Sequence, residues 1–314
     1  SKAMCGVSLP AGFVPALTTA FSWYFTVWVP GRCGVERECL RVALDMSLRH
    51  LEVPEVCEAQ LDAVCSGVEA SDRQMEIIQA IRDLGPSAAC EPKFDEGNRL
   101  FHGICSIKKE IRSLCKLGGE ELVQVDMHAT FITLTAKLYA RGDERDRLLK
   151  MISGGDFYGE FARLAGLDAK EIKPLFQRDV FFTYCSGNEL WQAFRKMFPK
   201  TARRIANNRD WGVIVKEQRK TDVNGRSFAS KTREGQRWLY RQFARMESTI
   251  FQRAYLELSA AGVLGIPGHD CIMVKRSDWE TAYNTIMRHA VDVLEFEPVL
   301  KANDLDGIRL FPAV

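Results

Sequence analysis

The sequence predicts an α+β fold in which helical blocks surround a small set of apolar strands. Three observations carry this. The apolar run Leu122-Val123-Gln124-Val125 ends at Asp126 and passes directly into a helix pattern. Two further apolar runs, Ile266-Pro267 and Cys271-Ile272-Met273-Val274, flank a turn at Gly268-His269-Asp270. Much of the remainder repeats apolar residues at helix spacing.

From Glu36 to Leu84 the period is helical, carried by Leu40, Leu44, Met46 and Leu48, then Leu61, Val64 and Val68, then Met75, Ile78, Ala80 and Ile81. Gly85-Pro86-Ser87 stops it. Gly97 to Gly103 reads as strand and turn, Ile107 to Leu117 as a short helix, and Gly118-Gly119 as the turn into the strand ending at Asp126. Ala129 to Tyr139 is helical again. A polar stop at Arg141-Gly142-Asp143 leads to a second helical block, where Asp168 and Glu171 stand at capping-box spacing. Thr221 to Gly225 reads as a loop, because Asn224-Gly225 is a turn signal. Gln236 to Ala261 forms one long helix. Ser277-Asp278-Trp279-Glu280 opens a last one, with a second capping box, to about Leu294.

At 314 residues and 46% hydrophobic, the chain has the composition of a globular protein with a sizeable core. Residues 6–30 carry no charge, yet Pro10, Pro15 and Pro30 break the segment. The aromatic run from Phe21 to Val29 reads as a buried strand rather than a membrane span. The ten cysteines show no C-x-x-C pair and no His partner at zinc-ligand spacing, which fits a reducing compartment and a cytoplasmic location. The compact size points toward a bacterial, viral or mobile-element gene.

The net charge of +2 is uninformative, but its distribution is not. Residues 195–245 hold fifteen Lys/Arg against four acids, a net +11 inside a remainder of net −9. Such a segment, which includes Arg203 and Arg204, suits a phosphate backbone. Asp126 and Asp270, each at a strand tip, supply the two carboxylates that a pair of Mg²⁺ ions needs for in-line phosphoryl transfer. A metal-dependent phosphohydrolase would need further His ligands, and His50, His102, His128 and His289 form no matching motif.

From Gly97 to about Leu294 the order of these parts resembles the A-family DNA polymerases. Asp126 resembles the aspartate closing that family's first palm strand, and His269-Asp270 its second palm motif. The resemblance implies that Asp126 and Asp270 bind two Mg²⁺ ions and that His269 contacts the primer end. It further implies that Lys173 faces the triphosphate, although Ala169 stands where the family has arginine, with Lys170 beside it. Phe181 takes the place of the family's fingers tyrosine, no glycine follows it, Tyr184 lies three residues on, and Pro174 interrupts the helix. Gly97-Asn98-Arg99 resembles the element touching the primer–template duplex, Arg112 a second basic position there, and Gln242 and Glu247 the polar residues flanking the active site. Five residues after Asp126 the family usually carries a glutamate that crowds the ribose 2′ position. Phe131 stands there, implying either an aromatic gate or a core residue.

The implied architecture is a right-hand-like polymerase with a discontinuous palm. Residues 1–92 would form a helical thumb-like region, 93–150 the first palm part, 151–236 the fingers and 237–314 the second palm part. The implied activity is primer extension on primer–template nucleic acid from nucleoside triphosphates. The resemblance further implies an enzyme lacking the family's 3′→5′ proofreading nuclease, for which the N-terminal helical residues would leave no room. A single-subunit RNA polymerase or primase, and a non-catalytic nucleic-acid-binding protein on the same scaffold, stay open as alternatives.

Overall fold

The computed structural model describes residues 33–52, 72–155, 157–165, 169–182, 189–212, 214–221, 227–304 and 309–310. Its first elements are helix α1 (Cys33–Leu48), strand β1 (Leu51–Glu52), α2 (Asp72–Leu84), the single turn α3 (Pro86–Ala89) and the hairpin β2 (Lys93–Phe94) and β3 (Leu100–Phe101). Next come α4 (Lys109–Arg112), β4 (Lys116–Leu117) and β5 (Glu120–Met127). Helices α5 (Thr130–Leu138), α6 (Asp143–Ser153), α7 (Phe157–Ala165) and α8 (Ala169–Phe176) follow, the last running into a π-helical segment, Gln177–Phe182. Helices α9 (Glu189–Met197) and α10 (Pro199–Arg209) precede the hairpin β6 (Ile214–Thr221) and β7 (Ser227–Arg233). The long α11 (Glu234–Ala260), β8 (Gly265–Pro267), β9 (Cys271–Lys275), α12 (Trp279–Leu294), β10 (Leu300–Asp304) and β11 (Arg309–Leu310) complete the α+β fold.

Strand β5 organises the main sheet, all of whose pairings are antiparallel. It pairs β9 with Asp126 opposite Cys271, β10 with Asp126 opposite Lys301, and β4 through Glu120 and Glu121. Period-2 alternation sends Val123, Val125 and Met127 into the larger core, while Gln124 and Asp126 stay half-buried on the other face. That other face has a smaller core of its own, in which Leu122 and Met273 meet Leu44, Ile78, Leu100 and Ile111. The long α11 buries Leu239, Phe243, Ile250, Phe251, Ala254 and Leu258 along one stripe, a helical period that specifies which face meets the sheet.

Several expectations need correction. The stretch read as one helix from Ile107 to Leu117 divides into α4 and the edge strand β4. The stretch 151–236, expected to form fingers, contains the β6–β7 ribbon, unforeseen because Lys216-Glu217-Gln218-Arg219-Lys220 has no apolar alternation. The described part of the thumb-like region is built onto the sheet: β1 pairs β4, and Leu40 and Ala43 of α1 enter the larger core. Asp278 starts α12 without a side-chain cap. Pro174 does sit inside α8, where it removes a backbone donor, and the change to π-helix follows three residues later. The aromatic strand at 21–29, the Asp168 cap, the Asn224-Gly225 turn and Tyr184 lie outside the described residues. No helix among the described residues is long and apolar enough to cross a membrane.

Candidate active site

Asp126 and Asp270 meet where β5 and β9 end. The Met127 amide donates to the Asp270 carbonyl at 3.1 Å, and the Gly268 amide to the Cys271 carbonyl at 2.7 Å, closing the β8–β9 turn. A Cβ on Gly268 would meet Cys271 Sγ, so a larger residue here would have to displace that side chain. Beyond Asp126 the chain swings into α5 through Ala129, held in the left-handed region at φ 50°, a strained setting for a non-glycine residue. Helix α5 thereby brings the Thr130 hydroxyl within 2.8 Å of both Asp270 Oδ2 and the Met127 carbonyl, either of which can accept its proton.

The two carboxylates feel each other. Burial first, and then the charge of Asp270, push the Asp126 carboxyl up to about 6, while Lys301 and Lys173 pull it down. Asp126 Oδ1 is buried with no hydrogen-bond partner. Lys301 owes its influence to β10, which seats it directly across from Asp126. Tyr158 of α7 adds a buried hydroxyl without a partner, held well above the ordinary tyrosine range by burial and then by Asp270. Thr130, Tyr158 and Lys301 carry no motif. Each arrives through non-local packing, and only the β10 register could have hinted at Lys301.

Around this centre the expected ligands divide. Lys173 is exposed on α8 and close enough to lower the Asp126 carboxyl. Lys170 is on the same helix, its side chain outside the described residues. Phe181 is fully buried against Phe176 and Phe243, so its ring is not available to a nucleotide; its neighbour Phe182 is the half-buried one. Both phenylalanines lie in the π-helical segment Gln177–Phe182. Phe131 is half-buried, edge-on to Phe182 at 5.5 Å and to Phe243 at 5.4 Å.

Arg99 belongs to the interior. Its turn begins at Asp95, whose Oδ1 accepts the Gly97 and Arg99 amides at 2.8 and 2.9 Å. The turn lies so close to α11 that a Cβ on Gly97 would collide with that of Ala244. Arg99 Nη2 donates to Glu247 Oε2 at 2.8 Å, and its guanidinium lies over the rings of Tyr240 and Phe131. Tyr240 donates in turn to Asp95 Oδ2 at 2.7 Å. Burial pushes the Glu247 carboxyl up to about 8 against the pull of Arg99, with Asp270 adding to the rise. Arg112 also points inward, half-buried, with Nη1 3.6 Å from Met273 Sδ. His269 stands at the turn, its ring 4.3 Å from that of Phe101 and its Nδ1 buried without a partner. Burial, with Arg99 nearby, keeps its imidazole below the usual range.

Gln242 is half-buried on α11, while Arg203 and Arg204 are exposed on α10, Arg204 donating to the Tyr139 carbonyl at 2.9 Å. Arg209, counted within the same basic segment, is instead 2% exposed. A cavity of ≈ 460 Å³ bounded by Asp95, Phe101, Phe182, Gln236, Arg237 and Tyr240 joins the His269 side of the site to the Phe131 side. Among the described residues no group of three His, Cys, Asp or Glu is placed to hold a metal, so any ion here would rest on two carboxylates plus oxygens from elsewhere. No protein-family model matches the sequence, and no curated protein matches it.

Proposed function

We propose that the chain catalyses template-directed nucleotidyl transfer, extending a primer from nucleoside triphosphates with two Mg²⁺ ions, as the resemblance to A-family DNA polymerases implies. The observation that carries this reading is the pairing of Asp126 and Asp270 at adjacent strand ends, with one Asp126 carboxylate oxygen unpartnered and Lys173 and Lys301, from other elements, acting on Asp126. Magnesium fits that donor set. It takes hard oxygen ligands, commonly from one or two carboxylates, and completes its shell with water and substrate phosphates.

Bound there, Mg²⁺ would supply charge neutralisation for the triphosphate and a lowered pKa for the primer hydroxyl. The chain's own residues do the positioning. Thr130 fixes the Asp270 carboxylate, and β5 and β9 fix the backbone from which both carboxylates project. Lys173 approaches the centre from α8 on the side where it lowers Asp126, a place suited to a triphosphate. His269, its ring tilted against that of Phe101, stands next to Asp270, where a primer end would lie. Arg203 and Arg204 would hold backbone phosphates without reading sequence.

Primer extension on a templated duplex, with either deoxy- or ribonucleoside triphosphates plus Mg²⁺, tests this directly. Templated extension by wild type and its loss in Asp126→Asn and Asp270→Asn are the expected results; template-independent or absent extension overturns the reading. One observation favours a second, non-catalytic nucleic-acid-binding reading: Arg99 and Phe181, two expected ligands, are committed to the interior. Tight primer–template binding without extension would select it.

A further inference from the structure

A second cavity, of ≈ 650 Å³, lies between α9 and α10, apart from the carboxylate pair, and is lined by Trp191, Arg195, Lys200, Arg203, Arg209 and Asp210. Its charge is one-sided. Asp210 is taken by Arg209, whose Nε and Nη2 reach the two carboxylate oxygens at 2.6 and 3.1 Å. The rest of Arg209 is committed too: Nη1 donates to the Val180 carbonyl at 2.7 Å, and the guanidinium stacks over Trp191 at 4.0 Å. The acid of the cavity is thus cancelled by a buried arginine that is itself part of the core.

What remains is cationic. Arg195 and Arg203 are exposed and have no carboxylate partner among the described residues, and Lys200 stands beside them at the start of α10. Glu144 spends its carboxylate capping that helix, accepting from the Lys200 and Thr201 amides at 2.9 and 2.7 Å. The helix end is therefore already satisfied, and the cationic side chains are what face the cavity. Two exposed guanidiniums without a carboxylate partner among the described residues, beside the Arg209–Trp191 stack, supply the donor forks by which arginine binds phosphate. A volume of ≈ 650 Å³ lies within the range of ligand pockets.

We infer that this cavity binds phosphate groups, with Arg195, Arg203 and Lys200 as the ligands. The phosphate could belong to a nucleic-acid strand or to a free polyphosphate. If it belongs to a strand, the inference deepens the nucleic-acid reading above by placing a strand against α9 and α10.

The test compares Arg195→Gln/Arg203→Gln with the control Lys150→Gln/Lys196→Gln, which removes the same charge from exposed lysines off the cavity, Lys196 being on α9 itself. Each is made in the full chain, and in Asp126→Asn so that binding is read apart from catalysis. Binding of a labelled oligothymidylate is followed by anisotropy across salt, and binding of inorganic triphosphate by calorimetry. The cavity variant should weaken the bound probe roughly tenfold, and for the strand it should lower the log–log salt slope by about 1.4, two phosphate contacts' worth. An effect on the oligonucleotide alone identifies the strand as the source, and one on triphosphate alone identifies a free polyphosphate. Equal effects in cavity and control variants, or no effect in either, would overturn the inference. Loss of extension with this binding pattern intact would sink only the catalytic reading.

Discussion

Arg99 and Glu247, 148 residues apart, form an ion pair almost wholly withdrawn from solvent, with Nη2 and Oε2 2.8 Å apart and side-chain exposures of 10% and 2%. The pair ties the Asp95–Arg99 turn to the middle of α11, next to the carboxylate centre. Breaking a buried pair from one side leaves a charge stranded, which costs far more than replacing both partners together. Glu247→Met strands the Arg99 guanidinium, which stays charged, and should therefore destabilise the fold by about 3–5 kcal/mol. Arg99→Met/Glu247→Met should recover most of that. Urea denaturation of the four members of the cycle checks it; additive losses would mean that the pair is not coupled.

The same turn offers a steric test. Gly97→Ala drives a methyl into Ala244 and should loosen the turn from α11, with a cost of about 1–3 kcal/mol, as overpacking typically brings. Ala244→Gly makes room for that methyl, so the double variant should be more stable than Gly97→Ala alone despite the helix propensity lost. Thermal melts of the three variants decide it.

Asp126 makes stability depend on pH with a definite sign. Its carboxyl is raised in the fold from 3.8 to about 6, so the native state holds the proton more tightly than the unfolded chain. The fold then loses stability as pH rises from about 4 to about 6, by on the order of 3 kcal/mol if no cation compensates. Asp126→Asn should accordingly raise the melting temperature above pH 6 and change it little below pH 4. Mg²⁺ should stabilise wild type at pH 8 and leave Asp126→Asn unaffected. A wild-type melting profile flat between pH 4 and 7 would contradict the burial of this carboxylate.

Phe131 can be tested as gate and as core residue at once. Its ring is edge-on to Phe182 and Phe243 and lies under Arg99, so Phe131→Ala should cost about 2–3 kcal/mol, less than a fully buried phenylalanine. If the ring also excludes a ribose 2′-hydroxyl, the variant should admit ribonucleotides while still extending with deoxynucleotides. Equal loss of both activities in melt-verified protein would leave Phe131 as packing alone.

What could be read from the sequence follows from local periodicity. Val123, Val125 and Met127 alternate with Gln124 and Asp126, and that alternation announces both the strand and the face its aspartate takes. The Gly268-His269-Asp270 turn and the helix from Glu234 to Ala260 are likewise short-range patterns. What stayed hidden depends on partners distant in sequence. Nothing near Lys301 says that it will stand opposite Asp126, and nothing near Arg99 names Glu247. Charge counting also misjudged Arg209, because a guanidinium stacked on Trp191 and bonded to Asp210 looks in sequence like one bound for solvent. The inward turn of Phe181 rests on its packing against Phe176 and the distant Phe243, which residue identity alone does not reveal.

The central place of β5 has a consequence for how the chain is made. Both strands that line Asp126 along the sheet, β9 and β10, leave the ribosome well after β5, the second of them more than 170 residues later. At usual elongation rates that delay is roughly ten to thirty seconds. Until β9 is made, the apolar run from Leu122 to Met127 has neither neighbour available, and such unpaired strand edges recruit other chains. Nascent chains stalled between residues 130 and 265 should therefore be the aggregation-prone species, and a chaperone holding β5 would matter more to the yield of active protein than any step after release.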